Sequence, residues 1–160
     1  MRIKIVAVGR LKRAPEAELS RDYAGRIAKL GRQVGITGID IVEVPESGAQ
    51  SADRRKSDEA SAIYAKFTGK PFVVALDEHG KSLSSVAFSK VLSSQLNAGT
   101  QEMCFVIGGP DGLDASLIQT AHKTIQLGAM TWPHRLVRVM LTEQIYRAVT
   151  ILTNHPYHRA

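Results

Sequence analysis

The amino-acid sequence predicts a single α/β domain, with a mostly parallel β-sheet and helices on both of its faces. β-rich runs alternate with helically spaced apolar residues along the whole chain, which is typical of parallel strands joined by crossover helices. Two short apolar runs, Phe72–Leu76 and Met103–Ile107, have the continuous hydrophobicity of strands covered on both faces. The 160 residues suffice for one core and contain no linker or repeat, so residues 1–160 are predicted to form one domain.

The first half of the chain contains two strand–helix units. Arg2–Val8 is a β-rich run, and Pro15 after it suits the first turn of a helix. The apolar residues that follow recur at helical spacing and predict one buried helix face: Leu19, Tyr23, Ile27, Leu30 and Val34. Ile36–Val44 predicts a second strand, ended by Pro45, and a charged helix is predicted over Ala52–Phe67.

The second half continues the alternation. A helix is predicted from about Ser84 after the strand Phe72–Leu76, and Asp114 can cap a short helix after Met103–Ile107. Thr124–Ala129 is a fifth apolar segment, and a last long helix is predicted over His134–Leu152.

Three loops are candidates for ligand binding, because ligands of parallel sheets bind at the carboxyl ends of the strands. They follow Leu76, Ile107 and Ala129. The second, Gly108–Gly112, lets a backbone approach a ligand closely, but it matches neither a P-loop nor G-x-G-x-x-G. The third lies in the apolar stretch Leu127–His134, which would suit a flat apolar ring or a buried crossover between strand and helix.

The charge is concentrated at the ends of the chain. The 21 Lys and Arg against 15 Asp and Glu give a net charge of +6, and the basic excess lies in residues 1–32 and 131–160. A basic surface favours nucleic acid as a partner, although the same residues could simply solvate helix faces. The candidate RNA-binding residues are Arg10, Lys12, Arg13, Tyr157 and Arg159.

Other classes of protein are disfavoured. The lone Cys104 lies in an apolar run and is interpreted as a buried, inert thiol. His155 and His158 are three residues apart but lack the acidic or Cys partners of a metal site, so no metal is expected. Without a signal-peptide core or a membrane-length apolar stretch, the chain is expected to be soluble and cytoplasmic.

Several motifs together resemble the ribosomal RNA large-subunit methyltransferase H family. The resemblance covers essentially the whole chain, including its opening Val6–Gly9. It rests on Leu76-Asp77-x-x-Gly80-Lys81, Phe105–Gly112, Met130-Thr131-x-Pro133-His134-x-Leu136-x-Arg138, Glu143–Ala148 and Pro156–Arg159.

The resemblance implies a SPOUT-type α/β fold with a C-terminal trefoil knot that binds S-adenosylmethionine. The implied reaction is methylation of N3 of a pseudouridine in helix 69 of 23S rRNA, on the assembled ribosome, by a homodimer. One departure is Gly128, where many relatives have Ser. The implied cofactor contacts are Leu76, Gly108, Leu127, Gly128, Ala129, Met130, Thr131 and Trp132.

The chemistry of such a transfer suggests catalytic candidates. Because the methyl group of a sulfonium is already activated, alignment and proton removal are what the protein must supply. His155, His158 or Glu143 could accept the N3 proton, while Arg138 or Arg147 could stabilise charge on the flanking carbonyls. Glu143 and Arg147, one helical turn apart, could instead form only a mutual ion pair.

Two alternatives remain at the level of sequence. A non-enzymatic RNA- or ribosome-binding module explains the charge but gives no role to the apolar stretch Leu127–Trp132. A nucleotide-binding enzyme would use Gly108–Gly112 for phosphate, but its other motifs are missing. Because one chain of this size buries little of a base and a cofactor together, we expect two copies to pack through the last helix and the knot region.

Overall fold

The computed structural model describes residues 1–12 and 14–158 as an α/β domain. The strands are β1 (Arg2–Val8), β2 (Gly38–Val44), β3 (Phe72–Ser82), β4 (Glu102–Ile107) and β5 (Lys123–Gln126). The helices are α1 (Pro15–Leu30), α2 (Ala52–Tyr64), α3 (Ser85–Asn97), α4 (Ala115–Thr120) and α5 (His134–Leu152), with a 3-10 turn at Gly31–Val34.

The sheet has the order β2-β1-β4-β3-β5, and every pairing in it is parallel. The carboxyl ends of all five strands therefore meet at one edge. The predicted α/β class is confirmed, and the predicted bounds of β1 and α5 agree with the structure.

Helices cover both faces of the sheet, so the alternating side chains of β1 enter two different cores. Ile3 and Ile5 pack in the core beneath α1, α3 and α5, together with Leu141 and Ile145. On the other face, Val6 and Val8 join residues of α2 and α4, including Ala60, Ile63 and Leu117. Both cores are apolar along their length, which explains why the central strands read as continuous hydrophobic runs.

Local capping agrees with the sequence at several helix ends. Pro15 begins α1, and the side chains of Ser51, Ser84 and Asp114 accept hydrogen bonds from the first turns of α2, α3 and α4. Within the described part of the chain, no helix is both long and apolar enough to cross a membrane.

β3 differs most from the expectation, because it continues past Leu76 to Ser82. The strand bends there, so that Leu76 and Lys81 both pair with Ile125 of β5. Gly80 permits this crossing, since a Cβ atom at that position would lie 2.5 Å from the carbonyl carbon of Ile125. The polar composition of Asp77–Lys81 by itself indicates a loop rather than a strand.

Smaller differences concern the ends of elements. The first helix stops at Leu30 and tightens into the 3-10 turn, which Gly35 closes with a φ of +88°. β5 spans Lys123–Gln126 rather than Thr124–Ala129, because the chain turns away from β3 after Gln126.

Candidate active site

A cavity of about 660 Å³ lies at the bend of β3 and at the carboxyl ends of β4 and β5. We call it the glycine-loop cavity; it is lined by residues of 76–79, 107–113 and 125–134, together with Val137. Ala129 of the predicted cofactor contacts is not among the lining residues. The others all line it: Leu76, Gly108, Leu127, Gly128, Met130, Thr131 and Trp132.

We call Gly108–Gly112 the glycine loop. Its first and last residues, Gly108 and Gly112, bring two parts of its backbone into close contact. A Cβ atom on Gly108 would lie 2.6 Å from the carbonyl carbon of Gly112 and 2.7 Å from its oxygen. The amide of Gly112 donates to the carbonyl of Gly109 at 3.0 Å, and Gly112 has a φ of +82°. The loop therefore exposes backbone to the cavity at a place where no side chain fits.

Arg55 of α2 fixes the outer side of this loop. Its guanidinium donates to both carboxylate oxygens of Asp111, at 2.6 and 2.9 Å, and to the carbonyls of Ala49 and Gln50. The hydrogen bonds and charge of Arg55 hold the pKa of the Asp111 carboxyl below its ordinary value. Arg55 thus ties the glycine loop to the segment that follows β2.

Glu59, one turn further along α2, lies against the same loop, because a Cβ atom on Gly109 would be 3.2 Å from its Oε2 atom. Its side chain accepts a hydrogen bond from the amide of Ser47 at 2.9 Å, and Glu59 is only 4% exposed. Burial raises the pKa of this carboxyl, and the nearby carboxylates of Asp111 and Glu46 raise it further. Sequence reasoning missed both α2 residues, because nothing in a charged helix indicates which distant loop it contacts.

The apolar segment after β5 forms an exposed wall of the glycine-loop cavity. Met130 is 72% exposed, and Trp132 is also exposed although both are large and apolar. Gly128 has a φ of +129°, a conformation that side chains rarely adopt, so a serine at this position would be strained in the present backbone. The hydroxyl of Thr131 donates to Glu78 across the mouth at 3.5 Å.

A second group of predicted residues meets near the C-terminal end of α5. Glu143 accepts two hydrogen bonds from Arg147, at 2.9 and 2.6 Å, and one from the hydroxyl of Tyr157 at 3.0 Å. We call these three residues the ionic cluster. The ion pair expected from the sequence is therefore present.

Aromatic packing holds the C-terminal tail on the ionic cluster. The ring centroids of Tyr157 and Tyr146 are 4.8 Å apart. The guanidinium of Arg147 lies 5.1 Å from the centroid of the Tyr157 ring. Burial and hydrogen bonds with Tyr23 and Glu143 raise the pKa of Tyr157 above its ordinary value. The hydroxyl therefore stays protonated and acts as a donor.

The two tail histidines have different environments. His155 is exposed, and its Nδ1 accepts the amide hydrogen of Tyr157 at 3.2 Å. His158 is half-buried, and its Nδ1 atom has no hydrogen-bond partner among residues 1–12 and 14–158.

No residue of the ionic cluster lines the glycine-loop cavity. Glu143 lines a separate cavity of about 500 Å³, and the segment Ile125–Gly128 forms a wall shared by both. His134, at the start of α5, lines the glycine-loop cavity and lies nine residues before Glu143, or about 13 Å along the helix.

Arg138 lies apart from both regions. It is 1% exposed, forms an ion pair with Glu43, and donates to the carbonyl of Gly9 at 3.0 Å.

Of the predicted RNA-binding residues, Arg10 and Lys12 are exposed after β1, and Tyr157 belongs to the ionic cluster. Arg13 and Arg159 lie outside the described residues.

Cys104 is buried, and burial raises the pKa of its thiol to about 12, which agrees with an inert thiol. Among residues 1–12 and 14–158, no three His, Cys, Asp or Glu side chains are grouped so that they could hold a metal ion.

Comparison with known proteins gives full-length matches. A family model described as "Predicted SPOUT methyltransferase" matches residues 1–158. A protein of Nitrobacter winogradskyi named ribosomal RNA large subunit methyltransferase H is 49% identical over 99% of each chain. A Rhodopseudomonas palustris protein of the same name is 48% identical over the full length of both.

A solved structure has a similar fold at low sequence identity. The crystal structure of a probable methyltransferase from Bordetella pertussis has a TM-score of 0.53 and is 12% identical, covering 92% of this chain and 95% of that one. This likeness concerns the fold alone.

Proposed function

The chain belongs to the SPOUT methyltransferase family, and on that basis we propose that it transfers a methyl group from S-adenosylmethionine to large-subunit ribosomal RNA. The target we propose is N3 of a pseudouridine in helix 69 of 23S rRNA on the assembled ribosome, which would place the protein in the cytoplasm. The observation that carries the proposal is the glycine-loop cavity, which gathers the bend of β3 and the segments that follow β4 and β5.

The glycine-loop cavity suits this donor in size and in chemistry. Its volume of about 660 Å³ lies within the usual range for cofactor sites. Leu127, Met130 and Trp132 offer apolar surface to a flat ring, and the backbone around Gly108 can approach a ligand closely. Asp77 and Glu78 add negative charge at the rim, where a cationic donor gains from it.

The bound donor would supply a methyl group already activated by the sulfonium. The protein's part is to hold and align the reactants, exclude water and remove the N3 proton. We keep Glu143, His155 and His158 as candidate proton acceptors. Arg147 lies beside Glu143 and is proposed to stabilise charge on the base carbonyls. Arg138, being buried against Glu43, is proposed to position the turn after β1.

We propose that the working form is a homodimer. The ionic cluster faces a different cavity from the proposed donor site, so a second copy would be needed to bring the two together. Met130, Trp132 and Leu136 are large apolar side chains exposed beside the donor site, which a partner could cover. A monomer by light scattering at working concentration would contradict this part of the proposal.

A C-terminal trefoil knot also remains part of the proposal. The close crossing of Gly80 over Ile125 supports it, because it shows β5 packed against the bent end of β3. Tracing the path of the chain through this crossing in an experimental structure would decide it.

The proposed function is tested by separating binding from transfer. Calorimetry with S-adenosylmethionine should show saturable heat, and mapping of rRNA modifications by mass spectrometry should show one methyl group missing in a strain without the protein and restored on complementation. A non-enzymatic RNA-binding module would give no heat with the donor.

The histidine hypothesis has its own test. Replacing His155 and His158 together by Ala should reduce methyl transfer while leaving donor binding intact, because neither lines the glycine-loop cavity. Full activity in this double variant would eliminate both histidines and leave Glu143 as the candidate.

A further inference from the structure

A third cavity, of about 390 Å³, lies between α1, β2 and α5. We call it the α1 cavity; it shares no lining residue with the glycine-loop cavity. It is close to the carboxyl ends of β1 and β2, and so lies toward the same edge of the sheet as the proposed donor site. Its lining residues are Leu11, Lys12, Ala17, Ser20, Arg21, Ile41, Glu43 and Arg138.

Two polar atoms of the α1 cavity are buried without a partner. Ser20 is 2% exposed and Arg138 is 1% exposed, yet the Oγ atom of Ser20 and the Nε atom of Arg138 make no hydrogen bond to residues 1–12 or 14–158. The two terminal nitrogens of Arg138 are occupied by Glu43 and by the carbonyl of Gly9. Since a buried polar atom without a partner is costly, the hydroxyl of Ser20 and the Nε–H of Arg138 are available to a group bound in the α1 cavity.

The charges around the α1 cavity identify the class of that group. Three cationic side chains, Lys12, Arg21 and Arg138, line it together with one carboxylate, Glu43. The carboxylate is already engaged, because it pairs with Arg138 and accepts the amide hydrogen of Leu11 at 3.0 Å. Within the described part of the chain, no carboxylate forms an ion pair with Lys12 or Arg21. The cavity thus carries an excess of positive charge.

We propose that the α1 cavity binds a phosphate group of the RNA backbone. A hydroxyl, a guanidinium N–H and two cations are donors suited to a phosphate's several acceptor oxygens. The source of the phosphate rests on the proposed function, because only an RNA substrate supplies a phosphodiester. A contact of this kind fixes the position of the strand without reading its sequence.

The test measures phosphate binding apart from methyl transfer. Inorganic phosphate is titrated into the full-length protein, and the Nε–H resonance of Arg138 is followed by NMR. We expect a saturable shift, which R21Q weakens roughly tenfold through loss of a charge-assisted contact. S20A should weaken it severalfold without changing the charge. R32Q is the matched control, because it removes the same charge from an exposed site outside the cavity.

A single-stranded RNA fragment forms the second arm of the test. The fragment should shift the same resonance and compete with phosphate, and R21Q should lower the salt dependence of RNA binding by about one phosphate contact. Phosphate binding without competition from RNA would overturn the RNA backbone as the source. No saturable shift, or equal effects of R21Q and R32Q in folded proteins, would overturn the site and leave bound water as the partner of Ser20 and Arg138.

Failure of this proposal and failure of the proposed function can be told apart. A protein that binds phosphate in the α1 cavity but binds no S-adenosylmethionine would contradict the methyltransferase assignment alone. A protein that transfers methyl groups, yet shows no phosphate-dependent shift of Arg138, would contradict the α1 cavity alone.

Discussion

The glycine-loop cavity and the ionic cluster are built on opposite principles. The cavity is formed mainly by backbone, glycines and apolar side chains, and its shape is fixed by contacts such as that between Gly108 and Gly112. The ionic cluster consists of charged and aromatic side chains that bind one another, with Glu143 accepting from both Arg147 and Tyr157. We propose that the first region holds the donor and that the second accepts a proton and stabilises charge.

Because the ionic cluster does not line the proposed donor site, the proposed reaction depends on the pairing of two protomers. Glu143 lines the cavity on one side of the segment Ile125–Gly128 and Gly108 lines the proposed donor site on the other, so we expect substitutions at these two residues to act on different steps. Binding of the donor and transfer of the methyl group should therefore respond to different substitutions.

The largest effect is expected from Glu143→Gln. The substitution removes the charge that Arg147 and Tyr157 are arranged around, while the helix and the glycine-loop cavity keep their shape. We expect methyl transfer to fall on the order of 100-fold, the usual contribution of a general base, with the donor Kd changed less than about twofold. Single-turnover transfer and calorimetry measure the two quantities.

Asp22→Asn is the matched control for Glu143→Gln. Asp22 also pairs with an arginine one turn away, Arg26, but on the exposed face of α1. It should leave transfer unchanged. An equal loss in both variants, or a loss of donor binding in Glu143→Gln, would mean that the two regions are not functionally separate.

Gly108→Ala tests the donor site in the same way. We expect it to weaken donor binding, and this effect should be smaller than the loss of methyl transfer in Glu143→Gln. The added methyl group would lie 2.6 Å from the carbonyl carbon of Gly112, so the loop must shift. Donor affinity should fall about tenfold or more, with a stability loss of about 1–3 kcal/mol from overpacking. Gly48→Ala is the control, because a Cβ atom there meets nothing within 4 Å. Unchanged donor affinity in a folded Gly108→Ala protein would argue against the cavity as the donor site.

The sequence predicted the parts of the molecule that depend on local pattern. The bounds of β1 and α5 follow from hydrophobic runs and helical spacing, and the cap at Asp114 follows from residue type. The loops after β4 and β5 were also identified, because strand ends of a parallel sheet meet at one edge, whereas the loop predicted after Leu76 is the bent continuation of β3. The individual cofactor residues came from resemblance to a family.

The sequence could not predict features that depend on contacts between distant segments. Arg138 follows a helical pattern in which an arginine usually faces solvent, yet it is buried because Glu43 and the Gly9 carbonyl meet it there. The contacts of Arg55 with Asp111 and of Glu59 with Gly109 could not be predicted for the same reason. The extension of β3 depends on Gly80, whose role appears only once β5 lies against it.

The smallest expected effect concerns the support beneath the glycine loop, and it depends on pH. Because burial raises the pKa of Glu59, the folded state binds that proton more tightly than the unfolded state, and stability falls as pH rises through this range. Glu59→Gln keeps an oxygen for the Ser47 amide and removes the buried charge. We therefore expect a gain of about 1 kcal/mol at pH 7 that vanishes below the ordinary pKa of a glutamate.

Asp111→Asn is a useful comparison, because it should lower the free energy of unfolding near neutral pH whereas Glu59→Gln should raise it. Arg55 lowers the pKa of Asp111, so that carboxylate stabilises the fold above its ordinary pKa, and its contribution is lost as pH falls through the lowered value. Urea unfolding at several pH values should thus show Glu59→Gln gaining and Asp111→Asn losing stability near neutrality, with both differences shrinking in acid. If Glu59→Gln is less stable at pH 7, the charged carboxylate itself is needed under Gly109, and the glycine-loop cavity depends on a side-chain charge as the ionic cluster does.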